Sequence, residues 1–191
     1  MCLTFCLKIV WSRRFRGDTG NDCLVTVDGT DFQIAEHGRK FYSHKFKKSG
    51  LRYEICVCIK TGKVVWLNGP YLWGQWNDIK IFWDSLIHCL GRYKQVEAND
   101  GYIGEAPRHV KCPRSFVNAR NTERMQSIVR QRQETANKRF KMWSCLKQVY
   151  RHDIAKHGDV FRAVCVITQL TIMNGEPLFE VEYDDWRDLP A

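Results

Sequence analysis

The chain has 191 residues, 44% hydrophobic and 27% charged; this is globular composition for one domain, or one domain with tails, and excludes collagen-like, low-complexity and wholly disordered chains. No apolar run of about 18 residues occurs, and the opening MCLTFCLKIV contains Lys8 and lacks a basic start and a small-residue cleavage site, so neither a membrane-spanning helix nor a signal peptide is expected. Thirty Lys and Arg against 21 Asp and Glu leave a net charge of +9, which points to a polyanionic partner, nucleic acid first.

Residues 1–22 hold the basic, turn-rich WSRRFRGDTGND and read as a lead-in. CLVTVDGTDFQI (23–34) is alternating and β-branched, which predicts a strand. Residues 35–50 predict a loop or ragged hairpin. LRYEICVCIK (51–60), the turn Thr61-Gly62 and KVVWL (63–67) predict a β-hairpin, and NGPYLWGQW (68–76) a Gly, Pro and aromatic loop. Asn77 is a helix cap and Asp78 suits the first turn; Ile79, Phe82, Trp83, Leu86, Ile87 and Leu90 follow at helical spacing, and Gly91 ends the helix. YKQVEA (93–98) predicts a short strand running into Asn99-Asp100-Gly101, and 104–116 an irregular stretch with one brief strand near Val110.

The longest helical pattern covers 119–150. At about 100° per residue, Met125, Ile128, Val129, Ala136, Phe140, Trp143, Leu146 and Tyr150 share one arc, with Glu134 opposite among Arg130, Lys138 and Lys141. A second, mostly apolar helix is predicted from Asp159 to about Met173, followed by an acidic tail over 174–191. Three hairpin-linked strands followed by alternating elements indicate a mixed sheet with helices against it.

The charge is unevenly spread. Residues 174–191 carry −5, so the first 173 carry +14. Residues 39–52 hold Arg39, Lys40, Lys45, Lys47, Lys48 and Arg52 with no acid, and 111–151 hold eleven bases against Glu123 and Glu134. The nine cysteines include no CxxC, and Cys56 and Cys58 lie in a strand pattern with no His pair nearby, which favours reduced, buried thiols over a zinc site.

Three acids stand out. Asp28 lies inside a predicted strand, where Asp is disfavoured; Asp100 ends the fourth strand; Glu134 is a lone acid on a basic helix face. Carboxylates from two strands and a helix could hold two divalent cations about 3.5–4 Å apart, which would activate water and steady the leaving oxygen of a phosphodiester. Each also has a plainer role: Asp28 and Asp100 in turn chemistry, Glu134 in pairs with Arg130 and Lys138. Asp78 reads as a helix-start acid rather than a ligand. Trp66, Trp73, Trp76 and Trp83 read as packing residues, with Trp73 or Trp76 the ones that could touch a flipped end base.

VDGTDFQI, NGPYLWGQWNDIKIF, EANDGY and RQRQETANKRFK together resemble the catalytic domain of a DDE transposase, of the PIF/Harbinger-like group related to bacterial insertion-sequence transposases, over roughly residues 23–173. The last block is the most specific. The relatives' Tyr, two residues, Arg, three residues, Glu, six residues, Lys appears here with Arg130, Glu134 and Lys141 in place and Ser127 at the Tyr position. The resemblance implies an α/β, RNase H-like fold with a mixed five-stranded sheet and flanking helices. It implies Mg²⁺ or Mn²⁺ held by Asp28, Asp100 and Glu134 as the catalytic and metal residues. DNA would be contacted by Arg130 and Lys141 at its end and by Lys45, Lys47 and Lys48 along its backbone, in the nucleus. The implied function is a transposase-derived, divalent-metal-dependent DNA endonuclease carrying out phosphodiester hydrolysis or strand transfer. The alternative is a non-catalytic DNA- or protein-binding module derived from one; an unrelated basic RNA-binding domain is disfavoured by the spaced acids.

Two departures qualify the match. The family block is D-x-G-Y, and counting back from Tyr102 its Asp slot is Asn99, with Asp100 in the x position. Asn keeps an oxygen but loses the charge that a hard cation prefers. A one-residue shift along a strand turns a side chain to the other face, unless the strand end bends enough for Asp100 to reach. The copy is therefore either metal-competent through Asp100 or crippled by Asn99. The second departure is that only about 22 residues precede the first strand, too few for the family's helix-turn-helix. Target recognition is then expected from a separate DNA-binding protein, and the chain is expected to be a truncated or decayed element, or a gene model that begins late.

Overall fold

The computed structural model describes residues 9–13, 23–91, 94–115 and 120–181. Strand β1 (Cys23–Gln33) lies between an antiparallel and a parallel neighbour. On one side it pairs with β3 (Lys48–Cys58), Val25 opposite Cys58 and Gln33 opposite Gly50. On the other it pairs with β5 (Gln95–Glu97), which in turn pairs in parallel with β6 (Val110–Lys111). The far side of β3 carries β4 (Val64–Leu72) and, at its beginning, the two-residue β2 (Tyr42–Ser43). The sheet is thus mixed and six-stranded, one strand more than expected; the addition is β2, formed within the ragged 35–50 segment.

The hairpin's second strand also runs further than its apolar letters suggest. β4 continues through NGPYL because β3 offers it a partner as far as Leu51, with an irregularity between Arg52 and Glu54. Gly69 stands at that irregularity with φ +120°, and a Cβ there would lie 2.7 Å from the Tyr53 ring, so only glycine fits.

Helices cover both faces. On one, α1 (Asp78–Ile81), a π-helical turn (Phe82–Leu86) and α2 (Ile87–Cys89) form one segment, capped by the Asn77 side chain accepting from Lys80 N. Phe82 and Leu86 pack there with Val25, Val27, Cys56, Val96 and Tyr102. On the other face, α3 (Arg120–Lys141) and α5 (His157–Met173) bury Ala136, Phe140, Phe161 and Cys165 against Phe32, Tyr53, Ile55 and Val57. The interior of β3 is buried on both faces, which is why YEICVC is nearly all apolar with Glu54 the exception.

The expected single helix over 119–150 is broken. It ends at Lys141; Trp143 is extended (φ −72°, ψ 125°) and the short α4 (Ser144–Lys147) follows. Tyr150 then bonds the end of β1, donating from N to Gln33 O and accepting from Ala35 N. Leu146 and Tyr150 still reach the core beside Phe140, whereas Trp143 is 38% exposed. The apolar spacing is met by a helix, a kink and a bridge. Residues 116–119 and the side chain of Met125 lie outside the described residues.

Part of the lead-in and part of the tail are also described. The Trp11 ring stands edge-on to Trp66 at 5.7 Å, and its Nε1 donates to Cys89 O. Leu178 is buried, and Arg139 donates to the carbonyls of Glu176 and Pro177, so the start of the tail lies along α3. The remainder of both segments lies outside the described residues. Cys23, Cys56, Cys58, Cys112 and Cys165 are buried, and none of them forms a disulfide among the described residues. No helix among the described residues is long and apolar enough to cross a membrane.

Candidate active site

β1 and β5 run parallel with Thr26 opposite Glu97. Two residues further along each chain, on the same face, stand Asp28 and Asn99. Asn99 Nδ2 donates to Asp28 Oδ1 at 2.8 Å. Its own Oδ1 accepts from Gly101 N at 2.7 Å and so caps the 3₁₀ turn that follows. Asp100 is turned elsewhere: it accepts from Arg114 N at 3.2 Å and pairs with the Arg114 guanidinium at 3.2 Å. Position 99, not 100, faces Asp28.

The second oxygen of Asp28 is met by α3, where Asn137 Nδ2 donates to Oδ2 at 2.8 Å. One turn earlier, Gln133 locks the helix to the sheet, accepting from the Thr26 hydroxyl at 2.6 Å and donating to Ile55 O. Glu134 sits three residues before Asn137, exposed, with its charge acting on Asp28. Arg130 is one turn before Glu134 and half-buried.

A second carboxylate approaches from α1. A Cβ at Gly29 would fall on the Asp78 carboxylate, and one at Gly101 would lie 2.9 Å from Asp78 Oδ2, so two glycines make room for it between β1 and the turn after β5. Arg52 of β3 clamps it. Its Nε and Nη2 hold Asp31 at 2.7 and 2.8 Å, and its Nη1 lies 3.2 Å from Asp78. Trp73 Nε1 donates to Asp31 as well.

Burial, then the neighbouring Asp78 charge, push the Asp28 carboxyl up to about 7; Glu134 adds to the rise, while the Gly29 backbone N–H and Lys141 oppose it. Burial also raises Asp78, against the pull of Arg52. Beneath them Glu54 is fully buried and pushed up to about 8 by that burial; its Oε2 accepts from Trp66 Nε1.

These groups border a cavity of about 580 Å³ lined by Asp28, Asp31, Arg52, Asp78, Asn99 and Lys141, and further by Lys45, Phe46, Trp73 and Lys147. Of the residues expected to form the site, the cavity collects Asp28, Lys45 and Lys141, while Arg130, Lys47, Lys48, Asp100 and Glu134 do not line it; Trp73, Asn99 and Asp78, the last read from the sequence as a helix-start acid, line it too. Asn137 and Arg52 were not singled out as site residues. Asn137 is legible afterwards, three residues from Glu134 on one helix face; the Arg52 clamp has no signal beyond its charge.

The donor set does not fit a pair of divalent cations. Both Asp28 oxygens accept amide N–H groups, the Asn99 oxygen is taken by Gly101, and Asp78 is held by Arg52. Among the described residues no group of three or more His, Cys, Asp and Glu side chains could hold a metal ion.

A family model described as DDE superfamily endonuclease matches residues 27–169, most of the chain. No curated protein matches the chain.

Proposed function

The chain belongs to the DDE superfamily endonucleases, and from that premise we propose that it is a transposase-derived, PIF/Harbinger-like domain that binds DNA in the nucleus and whose metal-dependent cleavage is disabled by Asn99. Order β4-β3-β1-β5-β6, antiparallel on one side of β1 and parallel on the other, supports an RNase H-like reading of its fold. In this superfamily, divalent metal supplies the activated water and the charge that steadies the leaving oxygen.

One observation carries the proposal: the amide of Asn99 donates to Asp28. A carboxylate in that slot would present a charged oxygen beside Asp28, the pairing a hard cation seeks. The amide presents N–H instead, which a carboxylate accepts and a cation opposes. What the cavity retains is phosphate chemistry. Lys45, Lys141 and Lys147 line it, and Arg52 offsets one of the two charges of Asp31 and Asp78, so four cations against the three carboxylates of Asp28, Asp31 and Asp78 leave the lining net positive toward a DNA backbone.

A second reading, residual endonuclease activity, is favoured by one feature. The charges of Asp78 and Glu134 both act on Asp28, so carboxylates from β1, α1 and α3 share one neighbourhood.

The test compares the parent, Asn99→Asp, Asp100→Ala and Asn99→Asp combined with Asp28→Ala on nicked and blunt duplexes with Mn²⁺. The parent is expected to bind duplex in EDTA and cut neither substrate. Asn99→Asp should cut, and the added Asp28→Ala should abolish that cutting. Cleavage by the parent that Asp100→Ala abolishes would overturn the proposal in favour of the active enzyme.

A further inference from the structure

We infer that Phe46, at the tip of the β2–β3 turn, is a stacking platform for an unpaired nucleobase of the bound DNA. The inference rests on the DNA-binding reading above and assigns the ligand of one part of the cavity.

The turn SHKFKK (43–48) presents one aromatic ring among lysines. Its shape is defined: the Ser43 hydroxyl accepts from Phe46 N, Ser43 O accepts from Lys47 N at 2.7 Å, and Lys47 takes φ +54°. Phe46 therefore has a set position, and it lines the cavity while 42% exposed. Its ring stacks on Trp73 with centroids 5.1 Å apart and planes 27° from parallel.

Trp73 makes that support rigid. It is 8% exposed, its Nε1 is tied to the Asp31–Arg52 pair, and its ring lies over Gly50, where a Cβ would be 2.6 Å from Cε3. A fixed indole carrying a half-exposed phenyl ring, with Lys45 Nζ 5.2 Å from the phenyl centroid, is an aromatic step beside a cation.

The surrounding charge selects the ligand. Lys45, Lys141 and Lys147 line the same cavity, and none of them is in an ion pair among the described residues. An aromatic step flanked by such cations suits a planar ring linked to phosphates. A cavity of about 580 Å³ has the dimensions of a small-ligand site, enough for one nucleotide but not for a duplex. A base offers its π-face only when it leaves the duplex stack, so the occupant is an overhang or an extruded end base. Stacking of this kind is tolerant of base identity.

The experiment uses the full chain in EDTA with two DNAs, a blunt duplex and the same duplex with a short single-stranded overhang containing 2-aminopurine. The parent should bind the overhang roughly tenfold more tightly than the blunt end and quench the 2-aminopurine fluorescence. Phe46→Ala and Phe46→Leu should both lose the quenching and the tenfold preference; Leu keeps an apolar contact with Trp73, so an unchanged melting temperature separates stacking from damage to the fold. Phe46→Trp should retain the quenching. Undiminished quenching in Phe46→Leu, or equal binding of both DNAs by the parent without quenching, overturns the inference alone. Failure of the parent to bind either DNA overturns the DNA-binding reading and the inference with it.

Discussion

Asn99, just past the end of β5, and Asp28 of the neighbouring parallel strand β1 meet amide to carboxylate, Nδ2 to Oδ1 at 2.8 Å. With Asn137 on the second oxygen, Asp28 becomes the centre of a closed polar triad joining β1, the end of β5 and α3. The contact that ties these elements together is the same one that withholds Asp28 from a cation.

Asn99→Asp should exchange that bond for a repulsion. In EDTA at pH 8 the variant is expected to melt roughly 5 °C below the parent, the equivalent of about 2 kcal/mol in a chain of this size. Mn²⁺ should restore the loss in the variant and leave the parent unmoved. Scanning fluorimetry across a Mn²⁺ titration decides it; a parent that gains stability with Mn²⁺ would mean that Asp28 is open to metal after all.

Asp28 should make stability fall with rising pH. Its folded pKa of about 7 stands above the ordinary 3.8, so between those values the folded state keeps a proton that the unfolded chain has released. The contribution is intact below about pH 4 and is lost as pH rises through 7, with a slope of at most about 1.4 kcal/mol per pH unit. Asp28→Asn removes the slope. Its stability relative to the parent, from urea unfolding, should climb from pH 4 to 7 and then level off.

His157 should act in the opposite sense. Its Nδ1 shares a 2.7 Å hydrogen bond with the Tyr53 hydroxyl inside a cluster with Phe32, Tyr150 and Phe161, and burial pushes its pKa down to about 4. This contribution is intact above pH 6.5 and is lost as pH falls toward 4. His157→Gln, which keeps an acceptor for Tyr53, should be less stable than the parent at pH 7.5 and lose less on acidification to pH 4.5. Equal acid sensitivity in both proteins would place the cause elsewhere.

Arg52→Ala leaves Asp31 and Asp78, both largely buried, without the guanidinium that holds them. A loss of about 3 kcal/mol or more is expected. Arg52→Lys should recover little, because one ammonium cannot reproduce the two-pronged hold on Asp31 together with the reach to Asp78. Chemical denaturation at low and high salt checks this; a loss that vanishes at high salt would mark the network as a surface effect.

Lysines that line the cavity should count individually in DNA binding. Replacing Lys45, Lys141 and Lys147 with Ala should reduce the slope of log K against log salt by roughly 0.9 for each phosphate that is no longer neutralised. Lys47→Ala with Lys48→Ala tests the outer part of the same turn. An unchanged slope in the first set would move the DNA path off the cavity.

Alternation and spacing made the elements legible because they report local geometry: Val25 and Val27 facing one way in β1, the Thr61-Gly62 turn, the Asn77 cap and the apolar face of α5 all follow from neighbours in the chain. The same letters predicted one helix through Tyr150, since periodicity cannot register that a backbone N–H will be drawn to Gln33 O at the end of another strand. The candidate site was legible as a set of parts, a strand Asp, an Asn-Asp pair and a helix Glu. Which of Asn99 and Asp100 turns toward Asp28 was not, because a one-residue difference reverses the face and only the pairing of Thr26 with Glu97 sets that parity. Asn137, the Gly29 and Gly101 cradle around Asp78 and the Arg52 clamp likewise depend on contacts between elements distant in sequence. Residue types and spacing thus determined the elements, the family resemblance and the candidate carboxylates, whereas register and packing alone decided which amides close on Asp28, because hydrogen bonds across elements depend on tertiary position rather than on local pattern.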